Sequence, residues 1–183
     1  MISEPNFKRA VKAAYRMRQE FNTGLRFDPF LPISVEKNLV VCKYSTFCRM
    51  HDIDIRDLLR TCSTDGFTFR SGRRYIILYN DSSVIGEPRR RFTLAHELGH
   101  YALGHLGDSE PEEQEADTFA RNLLAPRLIA INNGIEFPNY PQAFGISAAA
   151  ARMCERCQTM DETLAVGLYP FTSTKQFFTL RLG

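Results

Sequence analysis

Arg90-Arg91-Phe92-Thr93-Leu94-Ala95-His96-Glu97-Leu98-Gly99-His100-Tyr101-Ala102-Leu103-Gly104-His105 is the stretch that decides how this chain folds and what it can do. Pro88 stands where a helix can begin, and only Gly99 interrupts Arg89 to Gly104, so the stretch reads as one helix. Within it, His96-Glu97-Leu98-Gly99-His100 is an H-E-x-x-H pattern. Residues four apart share a helix face, so both imidazoles can reach one metal ion. Glu97 falls beside that metal rather than on it, where its carboxylate can act as a general base. The pattern alone arises by chance in on the order of one chain in a few hundred, so its surroundings carry much of the argument.

Upstream, the period changes from helical to alternating. Phe67-Thr68-Phe69-Arg70 and Arg74-Tyr75-Ile76-Ile77-Leu78-Tyr79, joined across Ser71-Gly72, read as an antiparallel hairpin. Its second strand, Arg74 to Tyr79, offers a place for an extended substrate to pair by strand addition. Earlier still, Phe7, Val11, Ala14, Tyr15 and Arg18 mark an amphipathic helix from about Glu4 to Glu20, ended by Thr23-Gly24. Leu39-Val40-Val41 is a candidate short strand, and Asp52 to Arg60 is helical in pattern.

Downstream, Ser109, Pro111 and Glu112 form a helix start with a capping box, and that helix runs to Ala125 before Pro126. A last helix is expected from Ser147 to about Met160, followed by an extended tail from Gly167. The order helix, sheet, helices gives an α+β class. The 183 residues fit one domain, with residues 1–65 mostly helical, 66–130 the catalytic core and 131–183 a helical extension.

A catalytic zinc takes a third protein ligand and keeps a position open for water. The candidates are the carboxylates of the capped helix. Ala116, Phe119, Ala120, Leu123 and Leu124 make its apolar stripe, and Glu115 borders that stripe. A carboxylate beside a buried face is costly unless paired or bound to a cation, which selects Glu115, with Glu112 in reserve. Glu110, Glu112 and Glu113 also suit the first turn for dipole reasons alone. Asp117 either orients a ligand histidine or pairs with Arg121 one turn on. His105 lies about 140° round an ideal helix from His100 and points away from the metal unless Gly104 ends the helix.

The Arg90–His105 stretch, with Glu115-Ala116-Asp117-Thr118-Phe119-Ala120-Arg121-Asn122-Leu123-Leu124-Ala125-Pro126, resembles the ImmA/IrrE-type metallopeptidase family. Ala125 replaces the methionine usual before that proline. The resemblance implies a zincin-like fold, with a small antiparallel sheet against the H-E-x-x-H helix and a following ligand helix. It implies zinc held by His96, His100 and the leading glutamate of the second block, Glu115. It also implies an intracellular protein substrate, since several members cleave or control a helix-turn-helix repressor of a mobile element or stress pathway.

Composition sets the outer limits. A net charge of +2 makes no case for bulk nucleic-acid or membrane binding, and no apolar run is long enough to span a bilayer. Five cysteines, an odd number, without an apolar signal core near the N-terminus point to reduced thiols in the cytoplasm. Cys154 and Cys157 read as two helix thiols rather than a metal or redox pair. The competing function is a zinc-containing regulator that binds a transcription factor without cutting it. Glu97 favours the enzyme, because a structural metal site needs no base beside an open position.

Overall fold

The computed structural model describes residues 4–21 and 24–168; Thr23 and the tail beyond Leu168 lie outside the described residues. The order of elements begins with α1 (Phe7–Phe21), α2 (Phe30–Val35), β1 (Leu39–Lys43), α3 (Tyr44–His51) and α4 (Ile55–Thr61). It continues with β2 (Gly66–Ser71), β3 (Arg74–Tyr79), α5 (Glu87–Leu103) and α6 (Glu110–Leu124). The chain closes through α7 (Arg127–Asn132), α8 (Tyr140–Phe144), α9 (Ala148–Arg156) and α10 (Gln158–Ala165). The class is α+β, and among the described residues no helix is long and apolar enough to cross a membrane.

The sheet is mixed, not antiparallel throughout. The hairpin forms, with Phe67 opposite Leu78 and Ser71 opposite Arg74, so its tight connection is Gly72-Arg73, one residue later than the sequence pattern implied. Leu39 to Lys43 then pairs in parallel with Tyr75 to Tyr79 on the other side. The chain between β1 and β2 crosses over through α3 and α4, as a parallel partner requires a long connection. The order β1-β3-β2 makes β3 central, with ladder bonds on both edges. Arg74–Tyr79 therefore has no free edge for a substrate. The edge available beside the H-E-x-x-H helix belongs to β2.

Alternation along β3 divides its side chains between two cores. Ile77 and Tyr79 join a large cluster with Leu94, Leu98, Phe119, Leu123 and Phe144. Leu78, on the opposite face, packs with Tyr44, Cys48 and Leu58 under the α3–α4 crossover. Each of these large side chains contributes roughly 1.5–3 kcal/mol by leaving water.

The first helix keeps most of its expected stripe: Val11, Ala14, Tyr15 and Arg18 are buried, Ala10 joins them, and Phe7 is half-buried. Ala10 and Ala14 are small enough to let α1 lie close along α6 and the core. Arg18 spreads its buried guanidinium over the carbonyls of Gly24, Leu25 and Leu123. At the other end, the expected single helix breaks at Cys157 into α9 and α10. The turn carries Asp161 back to α6, where it takes hydrogen bonds from Arg121 at 2.7 and 2.9 Å and from Asn122 at 3.2 Å. Arg121 thus belongs to Asp161, which leaves Asp117 without an i+4 partner and turned to other work. Cys154 is buried in the core, and burial pushes its thiol up to about 12, which suits a packing residue rather than a reactive one.

Candidate metal centre

Helix α5 is fixed at both ends. Gly86 precedes its first turn with Pro88 inside it, and Gly104 closes it in the left-handed region at φ 64°. Gly99 sets how near α6 can come. A Cβ there would stand 3.1 Å from Phe119 Cδ1 and 3.2 Å from the Ala116 backbone. A larger residue at position 99 would push α6 away and take its carboxylates out of reach. Ser109 and Glu112 form the expected capping box, the Glu112 carboxylate accepting from Ser109 N at 3.2 Å and from Ser109 Oγ at 2.7 Å. Leu106 N also donates to Glu112 at 3.2 Å, so this side chain clasps the α5–α6 loop and is not free to bind a metal.

Two histidines and one carboxylate converge between the helices. His96 Nε2 lies 3.0 Å from His100 Nε2. Glu113 reaches both, with Oε2 at 3.3 Å from His96 Nε2 and Oε1 at 3.2 Å from His100 Nε2. Among the described residues, His96, His100 and Glu113 are the group whose donor atoms lie close enough together for one ion. The outer nitrogens have partners as well. His96 Nδ1 is 2.8 Å from Asp117 Oδ1, and His100 Nδ1 is 3.1 Å from His105 Nδ1. Once both rings are neutral, with Nδ1–H of each donated outward, their Nε2 lone pairs point at the same space. Two imidazole nitrogens and a carboxylate are the donor set of a catalytic zinc, so the residues fit that ion.

Glu115 lies elsewhere. Two positions along a helix is about 200° of rotation, so Glu113 and Glu115 cannot face one ion together. Glu115 accepts from Asn6 N at 2.7 Å, stands 3.3 Å from His105 Nε2 and pairs with Arg9 at 3.8 Å. The structure thus brings His96, Glu97 and His100 to one place and sets Glu113, rather than Glu115, against the two histidines. The burial argument that selected Glu115 located a satisfied carboxylate. The overlooked signal was spacing: Glu113 and Asp117 are four apart, like His96 and His100, and they meet the two sides of the His96 ring.

The electrostatics follow from this crowding. Burial would lower the His96 imidazole, but hydrogen bonds to Asp117 and Glu113 outweigh it and raise its pKa to about 10. Burial and the neighbouring His96 charge lower His100 to about 4. The His96 hydrogen bond holds Glu113 below the usual carboxylate range. Glu97 is pushed up by burial, opposed by the charge on His96.

Glu97 faces a cavity of about 400 Å³ that also touches His96, His100, Glu113, Phe67 and Thr68. A second hollow of about 260 Å³ shares Thr68, Glu97, His100 and Asp108 and continues past Arg70 and Tyr75. Together they form a cleft along β2, with the metal-ligand geometry at its middle. Gly66, Phe67 and Thr68 of β2 line the first hollow, and Thr68, Phe69 and Arg70 line the second.

Residues 48–136 match the family model described as Peptidase_M78, the IrrE N-terminal-like domain. No curated protein and no solved structure matches the chain.

Proposed function

From the premise that the chain belongs to the ImmA/IrrE-type peptidase family, we propose that it is a zinc-dependent endopeptidase of the cytoplasm acting on a specific intracellular protein. One observation carries this reading: two Nε2 atoms and the Glu113 carboxylate converge beside Glu97 at the floor of an open cleft. His96, His100 and Glu113 would hold the ion, in place of the set with Glu115 that the family resemblance implied. Zinc bound there would polarise a scissile carbonyl and lower the pKa of the attacking water.

The remaining work falls to the chain. Glu97 takes the proton of the attacking water and returns it to the leaving amine. Burial, by raising Glu97 from the ordinary carboxylate range, makes it a better base than an exposed glutamate. Asp117 holds the His96 ring by its outer nitrogen. The substrate lies extended along β2, bonded to its outer edge, so backbone contacts position the scissile bond without regard to sequence. A helix-turn-helix repressor of a mobile element or stress pathway is the substrate that the family resemblance favours.

The test compares wild type with Glu97→Gln on purified full-length repressors, measuring cleavage and zinc content together. We expect the variant to keep its zinc and to lose about 10²- to 10⁴-fold in rate. Cleavage at the wild-type rate would remove Glu97 from the chemistry. A wild-type protein that holds zinc and binds a repressor without cutting it would instead establish the binding regulator.

A further inference from the structure

His96 has an obvious support in Asp117; His100 has one that the motif does not announce. Gly104, at φ 64°, ends α5 and turns the chain so that His105 comes back beneath His100. His105 is 4% exposed and Glu115 is 9% exposed, so both are held out of water. Their atoms line up as a chain: His100 Nδ1 to His105 Nδ1 at 3.1 Å, then His105 Nε2 to Glu115 Oε2 at 3.3 Å. Glu115, as a carboxylate, only accepts, so His105 carries its proton on Nε2. In a neutral His105 ring Nδ1 is then the acceptor, and His100 donates Nδ1–H to it. That leaves His100 Nε2 bare and aimed at His96 and Glu113.

We infer that His105 and Glu115 are positioning residues that fix the ring and the tautomer of His100, an inference that rests on the metal-centre reading above. Glu115 is itself anchored by Asn6 N at 2.7 Å, just before α1, and by Arg9 of α1, which also donates to the Leu103 carbonyl. The groups facing the pair are thus Asn6 and Arg9 at the start of α1 and the ring of His100 on α5. The arrangement is the two-step counterpart of the direct His96–Asp117 contact. A histidine inserted between ligand and carboxylate spans the distance that the rotation of Glu115 on α6 creates.

The experiment has two parts on the full-length chain. Ring ¹⁵N spectra of the zinc-free wild type report which nitrogen of each histidine carries the proton. The expected result is His100 protonated at Nδ1 and His105 at Nε2; a proton on His100 Nε2 would overturn the inference. Zinc affinity by chelator competition is then compared for wild type, His105→Ala, His105→Asn and Glu115→Gln, with folding checked by circular dichroism. His105→Ala should bind about 10- to 100-fold more weakly. His105→Asn, whose side-chain oxygen can stand near the lost Nδ1, should recover most of that loss. Glu115→Gln should still load zinc stoichiometrically, and its failure to do so while folded would make Glu115 a ligand instead. Wild-type affinity in His105→Ala would leave the pair with only a structural role. Should wild type bind no zinc at all, the metal-centre reading fails, and the ring spectra still decide the His100 tautomer.

Discussion

Helix α6 presents carboxylates on two faces that differ in almost every respect. Glu113 and Asp117, each with a side chain 44% exposed, look across an open cleft at His96 and His100. Glu115, 9% exposed, looks the other way into contacts with α1 and His105. The open face meets the motif directly, and the closed face meets it only through His105. A buried carboxylate in a peptidase helix is thus no better candidate for a metal than a half-exposed one. Burial records that the group has enough partners; convergence of lone pairs decides whether a cation has a place.

This contrast can be broken at several points. The largest effect belongs to Glu113→Ala, which should abolish stoichiometric zinc loading as read by metal analysis after desalting. Full retention would move the third ligand off the open face. Next comes pH. Since His96 is raised to about 10, a binding cation displaces its proton at neutral pH. Zinc affinity should therefore rise with pH, about tenfold per unit between about pH 6 and 9, with one proton released. A flat profile over that range would mean that His96 is already deprotonated and that Asp117 and Glu113 act on it weakly.

Asp117→Asn should weaken zinc about 10- to 100-fold without changing the stoichiometry. An effect matching that of Glu113→Ala would make Asp117 a ligand rather than a support. The smallest change expected is in the cap. Ser109→Ala should cost about 1 kcal/mol, about 2–4 °C in melting temperature for a chain of this size. Its zinc affinity should fall by less than that of Asp117→Asn, because Ser109 holds the first turn of α6, which carries Glu113, without touching the Glu113 carboxylate.

Much of this was legible in the residues, for stated reasons. The H-E-x-x-H helix, the capped helix after it and the hairpin before it follow from spacing, caps and alternation, all of them local. The parallel partnership of β1 depends on where a crossover lands, and Leu39-Val40-Val41 carries no mark of direction. The break at Cys157 answers to Arg121, 40 residues from Asp161, with no local breaker to announce it. The convergence of Glu113 on the two histidines was within reach, since its spacing to Asp117 repeats theirs. The place of His105 turned on Gly104, whose left-handed conformation a glycine permits but does not declare.

The bond from Asn6 to Glu115 spans 109 residues. In a growing chain, α1 is made first and must wait for α6 before its end has anything to dock on. At ribosomal speeds that delay is roughly 5 to 20 s. The support behind His100 is therefore among the last parts of the centre to close. Until then the H-E-x-x-H helix can form without its second histidine being held in place, so a nascent chain carries the motif before it carries the finished tool.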